Sequence, residues 1–218
     1  MAKRTIRGAG IDLGTAFGTT TNVTAATNAA SSVFTAVAAT LGAAVGDYVE
    51  ILSGGWPLLI GRVFRISVIA TNDHTLEGCD TSDTGQYPAL GGVGTQIRRI
   101  STWTALSDIQ DLQITGGEQQ FTDVTGISDV VGQQFPTLKS ALSINVPVFY
   151  DPSNAWVATV RALAAQKALR ALRVRGPDGL RFVQNGYVGW TDTPRIEGDI
   201  LRNTLTIAGV NLPTVYSV

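Results

Sequence analysis

Gly116-Gly117-Glu118-Gln119-Gln120-Phe121 opens the stretch that decides the fold, which runs to Gly179. Phe135-Pro136-Thr137-Leu138-Lys139-Ser140 leads into an alternating run that ends at Tyr150. Leu138, Leu142, Ile144, Val146, Val148 and Tyr150 share one face, and Lys139, Ala141, Ser143, Asn145 and Phe149 share the other. A period of two with one apolar face predicts a strand over Leu138–Tyr150 with one side buried. Pro147 removes a ladder donor, which places this end at an edge or bulge. Asp151 is suited to cap a helix and Pro152 to its first position. Trp156, Val160 and Leu163 then form an apolar stripe at helical spacing, so one helix is expected, ending near Ala168. Leu172–Gly176 reads as a strand turning at Gly176-Pro177-Asp178-Gly179. Leu180–Thr191, with Asn185-Gly186 as a candidate bulge, and Ile200–Ala208 are the last two strands.

Upstream, Ile97–Thr104 and Ile109–Thr115 read as strands. Gly116-Gly117 supplies a turn from which Glu118–Val124 returns as the second arm of a hairpin. Asp47–Leu52 and Ile60–Ala70 are two more strands, separated by Ser53-Gly54-Gly55. Residues 71–94 read as a long loop, and a loop of that length in a compact domain usually has a function. Residues 1–32 are rich in Gly, Thr, Ala and Asn without a sustained period, which predicts an extended N-terminal arm; an Ala-rich helix over Thr24–Ala30 competes with that reading. Residues 33–218 then form a single domain, with 33–95 its less regular part. Many strands and one helix give a mainly β protein, an antiparallel sandwich or barrel-like fold with the helix on one flank.

The chain has 218 residues, of which 44% are hydrophobic and 15% charged. Ordinary domains carry about 25% charged residues. Sparse charge fits a surface covered by other subunits, and it equally fits a low-charge β domain. A net charge of −1 gives no global field for nucleic acid or membranes. No apolar run approaches the ~18 residues needed to span a bilayer. Lys3, Arg4 and Arg7 precede no apolar segment, so no secretory signal is read and the chain is expected to stay in the cytoplasm.

Gly10-Ile11-Asp12-Leu13-Gly14-Thr15 is similar to the first phosphate turn of actin-like ATPases and Hsp70 chaperones. The second Asp-x-Gly-Gly turn such a site needs is absent, and no hydrophobic strand leads in. His74, the only histidine, sits in Asn72-Asp73-His74-Thr75, the setting of an exposed turn. Asp73, Glu77, Asp80 and Asp83 lack the spacing of a calcium loop. Cys79 has no second thiol and reads as a small buried or interfacial residue. These readings predict no catalytic residue, no cofactor and no metal.

Charge is segregated along the chain. Asp108, Asp111, Glu118, Asp123 and Asp129 lie between Ile100 and Leu138 with no base among them. Arg161, Lys167, Arg170, Arg173, Arg175 and Arg181 follow with Asp178 as the one acid. Two readings stand: separate solvated faces, or opposite patches that join copies head to tail.

The order Gly-Gly-Glu-Gln-Gln-Phe, Pro-Thr-Leu-Lys-Ser, one helix after Asp-Pro and a strand turning at Pro-x-Gly resembles the tail tube proteins of long-tailed bacteriophages. The likeness covers about Ile97–Ala208. It implies a structural virion protein rather than an enzyme: hexameric rings stacked into a tube, with inner sheets joined as one barrel. Double-stranded DNA would pass the lumen during ejection without specific binding and without membrane insertion. Other implied partners are a tape-measure protein, a tail terminator and a distal tail protein. The implied location is the virion tail, assembled in the host cytoplasm. A DNA conduit should avoid a cationic wall, so Asp111 and Gln113 are the expected lumen residues. Gly116, Gly117, Glu118, Gln119, Gln120, Phe121, Lys139, Arg173 and Arg175 are the expected subunit contacts. The competing reading is a β-sandwich module of a phage particle that binds carbohydrate or a receptor through Trp56, Trp103 and Trp190. A third is a nucleotide hydrolase using Asp12.

Overall fold

The computed structural model describes residues 8–37, 41–127, 130–177 and 179–216. Among these residues sixteen strands and one α-helix follow in chain order. The first seven strands are β1 (Gly10–Phe17), β2 (Thr21–Ala26), β3 (Val33–Ala36), β4 (Tyr48–Ser53), β5 (Val63–Ala70), β6 (Asp73–Glu77) and β7 (Gln96–Leu106). Then come β8 (Gln113–Thr115), β9 (Gln119–Asp123), β10 (Gln134–Lys139), β11 (Ser143–Phe149) and the helix α1 (Ala155–Gln166). The chain closes with β12 (Leu169–Arg175), β13 (Arg181–Trp190), β14 (Arg195–Glu197), β15 (Ile200–Gly209) and β16 (Thr214–Tyr216). The protein is mainly β, with antiparallel pairing throughout and one helix packed on a sandwich-like body.

Fourteen strands form one sheet in the order β2-β3-β6-β5-β4-β7-β1-β12-β13-β15-β11-β8, with β14 and β16 branching from β15 and β13. At one end the sheet folds back, since β2 also pairs with the start of β7 through Thr21↔Ile97. At the other end β8 is open, so the sheet as a whole is no closed barrel.

Three apolar clusters follow from this wrapping. Val23, Phe34, Val49, Ile51, Trp56, Phe64, Ile66, Leu76 and Ile97 fill the folded-back half. Ile144, Val146 and Val148 of β11 join Leu205, Ile207, Leu172, Ile11 and Leu13 under Trp156, Val157, Val160 and Leu163 of α1. Each such side chain contributes about 1.5–3 kcal/mol by leaving water. The third cluster joins the halves: Tyr48, Val63 and Ile100 meet Ala171, Val183 and Tyr216.

β1 corrects the expectation of an extended arm over residues 1–32. It lies between β7 and β12, paired Leu13↔Thr104 and Leu13↔Leu172. Its period was hidden because the inner face opposite Ile11 and Leu13 carries Gly10, Asp12 and Gly14 rather than apolar residues. Residues 1–7 lie outside the described part. The loop expected over 71–94 is shortened, because Asp73–Glu77 form a strand between β3 and β5.

The expected hairpin turning at Gly116-Gly117 is also corrected. β8 pairs with β11, and β9 pairs with β10 instead. The long strand expected over Leu138–Tyr150 is therefore two strands, β10 and β11, that belong to different sheets. Gly116 and Gly117 both hold positive φ (84° and 81°), which turns the backbone out of the main sheet. A side chain at Gly116 would collide with the carbonyl of Ala141. Pro147 does lie near the edge: β8 covers only Ser143–Asn145, and the Pro147 carbonyl accepts from Gln110 at 2.9 Å. No bulge breaks the β12–β13 register at Asn185-Gly186, where Ala171↔Asn185 and Arg170↔Gly186 follow without a shift. Helix α1 starts one turn later than expected, with Asn154 at the cap. Asp151 instead accepts from the backbone and hydroxyl of Ser153 (2.9 and 2.7 Å), which holds its carboxyl below the usual range.

Glu50 of β4 is buried and ties the halves together. Arg98 Nε lies 2.7 Å from one of its oxygens, and Asn185 Nδ2 donates to the other at 2.6 Å. Glu50→Ala would strand a guanidinium and an amide. The expected loss is about 3–5 kcal/mol, read by urea unfolding; a loss under about 1 kcal/mol would refute this role.

Candidate assembly surfaces

Arg173 and Arg175 project from β12 on the face opposite α1, and Asp12 meets both. Its carboxylate lies 2.9 Å from Arg173 and 2.7 Å from Arg175, with a second contact to Arg175 at 2.9 Å. The Arg173 guanidinium stacks 4.3 Å over the Trp103 ring. Arg173 is therefore largely internal, whereas the Arg175 side chain remains 48% exposed. Arg181 stands opposite Arg175 in the β12–β13 register. Two cations thus meet one carboxylate, with a third beside Arg175. The other acid of the basic block, Asp178, lies outside the described residues. Asp12 sits mid-strand, not in a turn, and its oxygens are occupied by arginine. That arrangement offers no cradle of backbone amides for phosphate.

The residues from Gly116 to Lys139 build a projecting two-stranded sheet. Its root is held by Ser140: Gly117 N donates to its carbonyl (3.2 Å), its N donates to Glu118 O (2.8 Å), and its hydroxyl accepts from Glu118 N (3.0 Å). Gln119 pairs with Lys139 across the strands and donates to the Thr137 carbonyl. The Gln120 carbonyl accepts from the Thr137 hydroxyl at 3.2 Å. Beyond this root the apolar residues have no core. Phe121 is 58% exposed, Phe135 62% and Leu138 84%, and Val124, Ile127, Val130 and Val131 are exposed with them. Phe121 sits opposite Pro136, and Phe135 opposite Thr122. The two phenylalanines therefore lie on opposite faces, and both faces carry apolar surface. Asp123 accepts from the hydroxyl and backbone of Thr125, which keeps its carboxyl low. Asp129 lies outside the described residues. Sequence reasoning placed the contact at Gly116–Phe121 and missed the exposed apolar run after it, because that run follows neither a helical nor a strand period.

Asp111 and Gln113 are brought together on an exposed flank, with Gln113 Nε2 donating to Asp111 at 3.3 Å. They line a cleft of about 410 Å³ with Gln110, Arg195, Glu197 and Arg202. Arg202 and Glu197 pair across it at 3.1 Å.

The remaining candidates are structural. His74 is buried in β6, not in an exposed turn, with Phe34 and Ile69 as its register neighbours. The sequence Asn72-Asp73 suggested a turn there, and the turn ends one residue earlier. The acidic residues disperse: Asp73 accepts from Thr35 (2.6 Å), Glu77 pairs with Arg65, and Asp80 accepts from Ser82. Among the described residues no cluster of three His, Cys, Asp or Glu could hold a metal. Trp56 is in the core with its Nε1 donating to Pro88, and Trp190 packs 5.9 Å from Trp156. The three tryptophans proposed for a binding groove thus serve packing, and exposed aromatic surface lies on the projecting hairpin. No helix among the described residues is long and apolar enough to cross a membrane.

Cys79 is buried, and burial pushes its thiol from 9.0 up to about 12. Between those values the folded chain holds a proton that the unfolded chain has released. This contribution is complete below pH 9 and is lost as pH climbs toward 12. Stability should fall across that window by up to about 1.4 kcal/mol per pH unit, and Cys79→Ala should remove this part of the slope. Alkaline unfolding curves of equal slope for the two proteins would refute it.

The projecting hairpin has two apolar faces, and the sheet has an open edge at β8. The family model described as phage tail tube protein matches residues 54–218. No curated protein matches the chain. The match covers well over half of the sequence and includes every strand from β5 to β16 together with the helix. The chain belongs to the phage tail tube protein family.

Proposed function

We propose that copies of this chain close into hexameric rings and that the rings stack into a tube through which double-stranded DNA leaves the virion. The hairpin carries this reading. A lone two-stranded ribbon is marginal in water, and one that exposes phenylalanine on both faces needs partners on both. A ring neighbour and the next ring supply two such partners. The outer edge of β8 adds a second contact, since an open edge is a template for another chain. Joining sheets edge to edge around a ring would cover it.

Asp111 and Gln113 lie beside that edge. In this reading they line the lumen, where a carboxylate repels the phosphate backbone and lets DNA slide. Arg175, Lys139 and Glu118 serve subunit contacts, and the surplus positive charge around Asp12 meets acidic residues of a neighbour. Tape-measure, terminator and distal tail proteins are the further partners, with assembly in the host cytoplasm. The part is structural, without catalysis or cofactor.

Negative-stain electron microscopy of concentrated protein should show rings or hollow tubes. Phe135→Glu combined with Leu138→Glu should abolish them while leaving the unfolding transition within about 0.5 kcal/mol, because both side chains are solvent-exposed in the subunit. Wild-type protein that stays monomeric even beside tail-tip initiator complexes would overturn the reading.

A further inference from the structure

Leu90 stands in a backbone conformation that its own side chain disfavours. Its φ is 64°, in the left-handed region, where the Cβ of an L residue crowds the backbone carbonyl. The other described non-glycine residues at positive φ are polar or charged: Thr71, Asp108 and Lys167. Leu90 is the one apolar member. Its side chain is 80% exposed and joins none of the three apolar clusters. The strain therefore secures no packing of that side chain inside the subunit.

The loop around it is held from both sides. The Pro88 carbonyl accepts from Gly91 N at 3.0 Å and from Trp56 Nε1 at 2.9 Å. The Tyr87 carbonyl accepts from Asn28 Nδ2 at 2.8 Å, and the Tyr87 ring meets Trp56 edge-on. Gly91 and Gly92 press on the indole, where an added Cβ would lie 2.6 and 2.8 Å from it. Gly94 N donates to Val23 O at 2.8 Å and ties the far end to β2. A buried tryptophan thus fixes the loop, and Leu90 is presented rather than packed. Backbone strain persists where the surroundings over-determine it, and it clusters at functional contacts. A Cβ on Gly55 would collide with the Gly91 carbonyl, so the loop abuts the turn that carries Leu58. Asn211 Nδ2 donates to the carbonyls of Leu58 (3.4 Å) and Ile60 (2.6 Å), which brings Val210 and Leu212 to the same turn. Residues 53–61, 84–97 and 209–216 carry no charged side chain. Leu58, Val93, Val210 and Leu212 are exposed on these three segments with Leu90.

We infer that Leu90 is an anchor residue that inserts into apolar surface of a second copy of this chain. Its leucine side chain leaves water only on assembly, and that gain offsets the strain the free subunit carries. A charged end would need a counter-charge on its partner. This uncharged end needs only apolar surface, and each copy has apolar side chains that its own chain leaves uncovered. Copies of this chain are also what a subunit of a tube meets. The inference rests on the tube reading above and adds a residue on which contact between copies depends.

Two substitutions that suit the left-handed region test it on full-length protein. Leu90→Gly and Leu90→Asn relieve the backbone and remove the anchor. The melting temperature of the free subunit should hold or rise, by up to about 4 °C. Tube formation, followed by light scattering and electron microscopy, should instead require a protein concentration higher on the order of tenfold. A leucine that served only its own fold would not give stability and assembly opposite signs. Leu90→Cys adds a direct readout, because the native Cys79 is buried. Maleimide should label it quickly in the free subunit and about tenfold more slowly in tubes of this chain alone. Melting temperatures lowered by more than about 4 °C in both substitutions would overturn the inference by placing the side chain in its own subunit's packing. Unchanged assembly of both variants, or equal labelling of free and assembled protein, would overturn it while leaving the tube reading intact. Protection that appears only when another tail protein is present would overturn it by giving that protein the contact. If the unsubstituted protein forms no tubes even beside tail-tip initiator complexes, the tube reading falls and this contact with it.

Discussion

The fold depends on one strand finding its place between two others. β7 and β12 are the facing edges of two half-sheets, and β1 hydrogen-bonds to both. Its outer side chains, Ile11 and Leu13, enter the cluster under α1. Its inner side chain, Asp12, is the carboxylate shared by Arg173 and Arg175. Removing a carboxylate from water is expensive unless it is paired and hydrogen-bonded. Two guanidinium groups in direct contact meet that requirement, and the aromatic faces of Trp103 and Tyr48 hold Arg173 in place. Glu50 repeats the arrangement from the other half, reaching Asn185 of β13. The halves are thus joined by a shared strand, a small apolar cluster and two buried carboxylates.

That economy explains which parts were legible in the sequence. Ile144, Val146 and Val148 alternate with polar residues because their sheet buries one face only, and the period survived intact. Trp156, Val160 and Leu163 face the core as their spacing required. β1 was illegible because both its glycines and its buried acid imitate loop chemistry. A carboxylate at a core position violates the binary pattern, and its partners lie more than 160 residues away. His74 misled for the opposite reason: its neighbours looked like a turn, while the strand begins at Asp73. The glycine pair at 116–117 was read as a tight turn, yet two successive left-handed glycines redirect a chain as readily as they reverse it.

The candidate assembly surfaces were half legible. The segment that carries them was found by its likeness to a family, and the alternating pattern of Phe121 and Phe135 gives no hint of burial because a single subunit buries neither. Asp111 and Gln113 do meet on an exposed flank, joined by a hydrogen bond. Arg173 and Arg175 were assigned outward on charge alone. Long-range ion pairing drew Arg173 inward and left Arg175 straddling the surface. Low overall charge is consistent with this design. The two buried carboxylates, Asp12 and Glu50, are each met by arginine.

The central position of β1 also sets an order of events during synthesis. It leaves the ribosome well before its second neighbour, β12, since Arg173 follows Asp12 by 161 positions. At 5–20 residues per second that is a wait on the order of ten to thirty seconds. Until then β7 can shelter one edge of β1, and the other edge stays open. The sheet closes only after β12 has emerged. Folding of this subunit therefore waits on that strand, and non-local pairing of this kind is intrinsically slow.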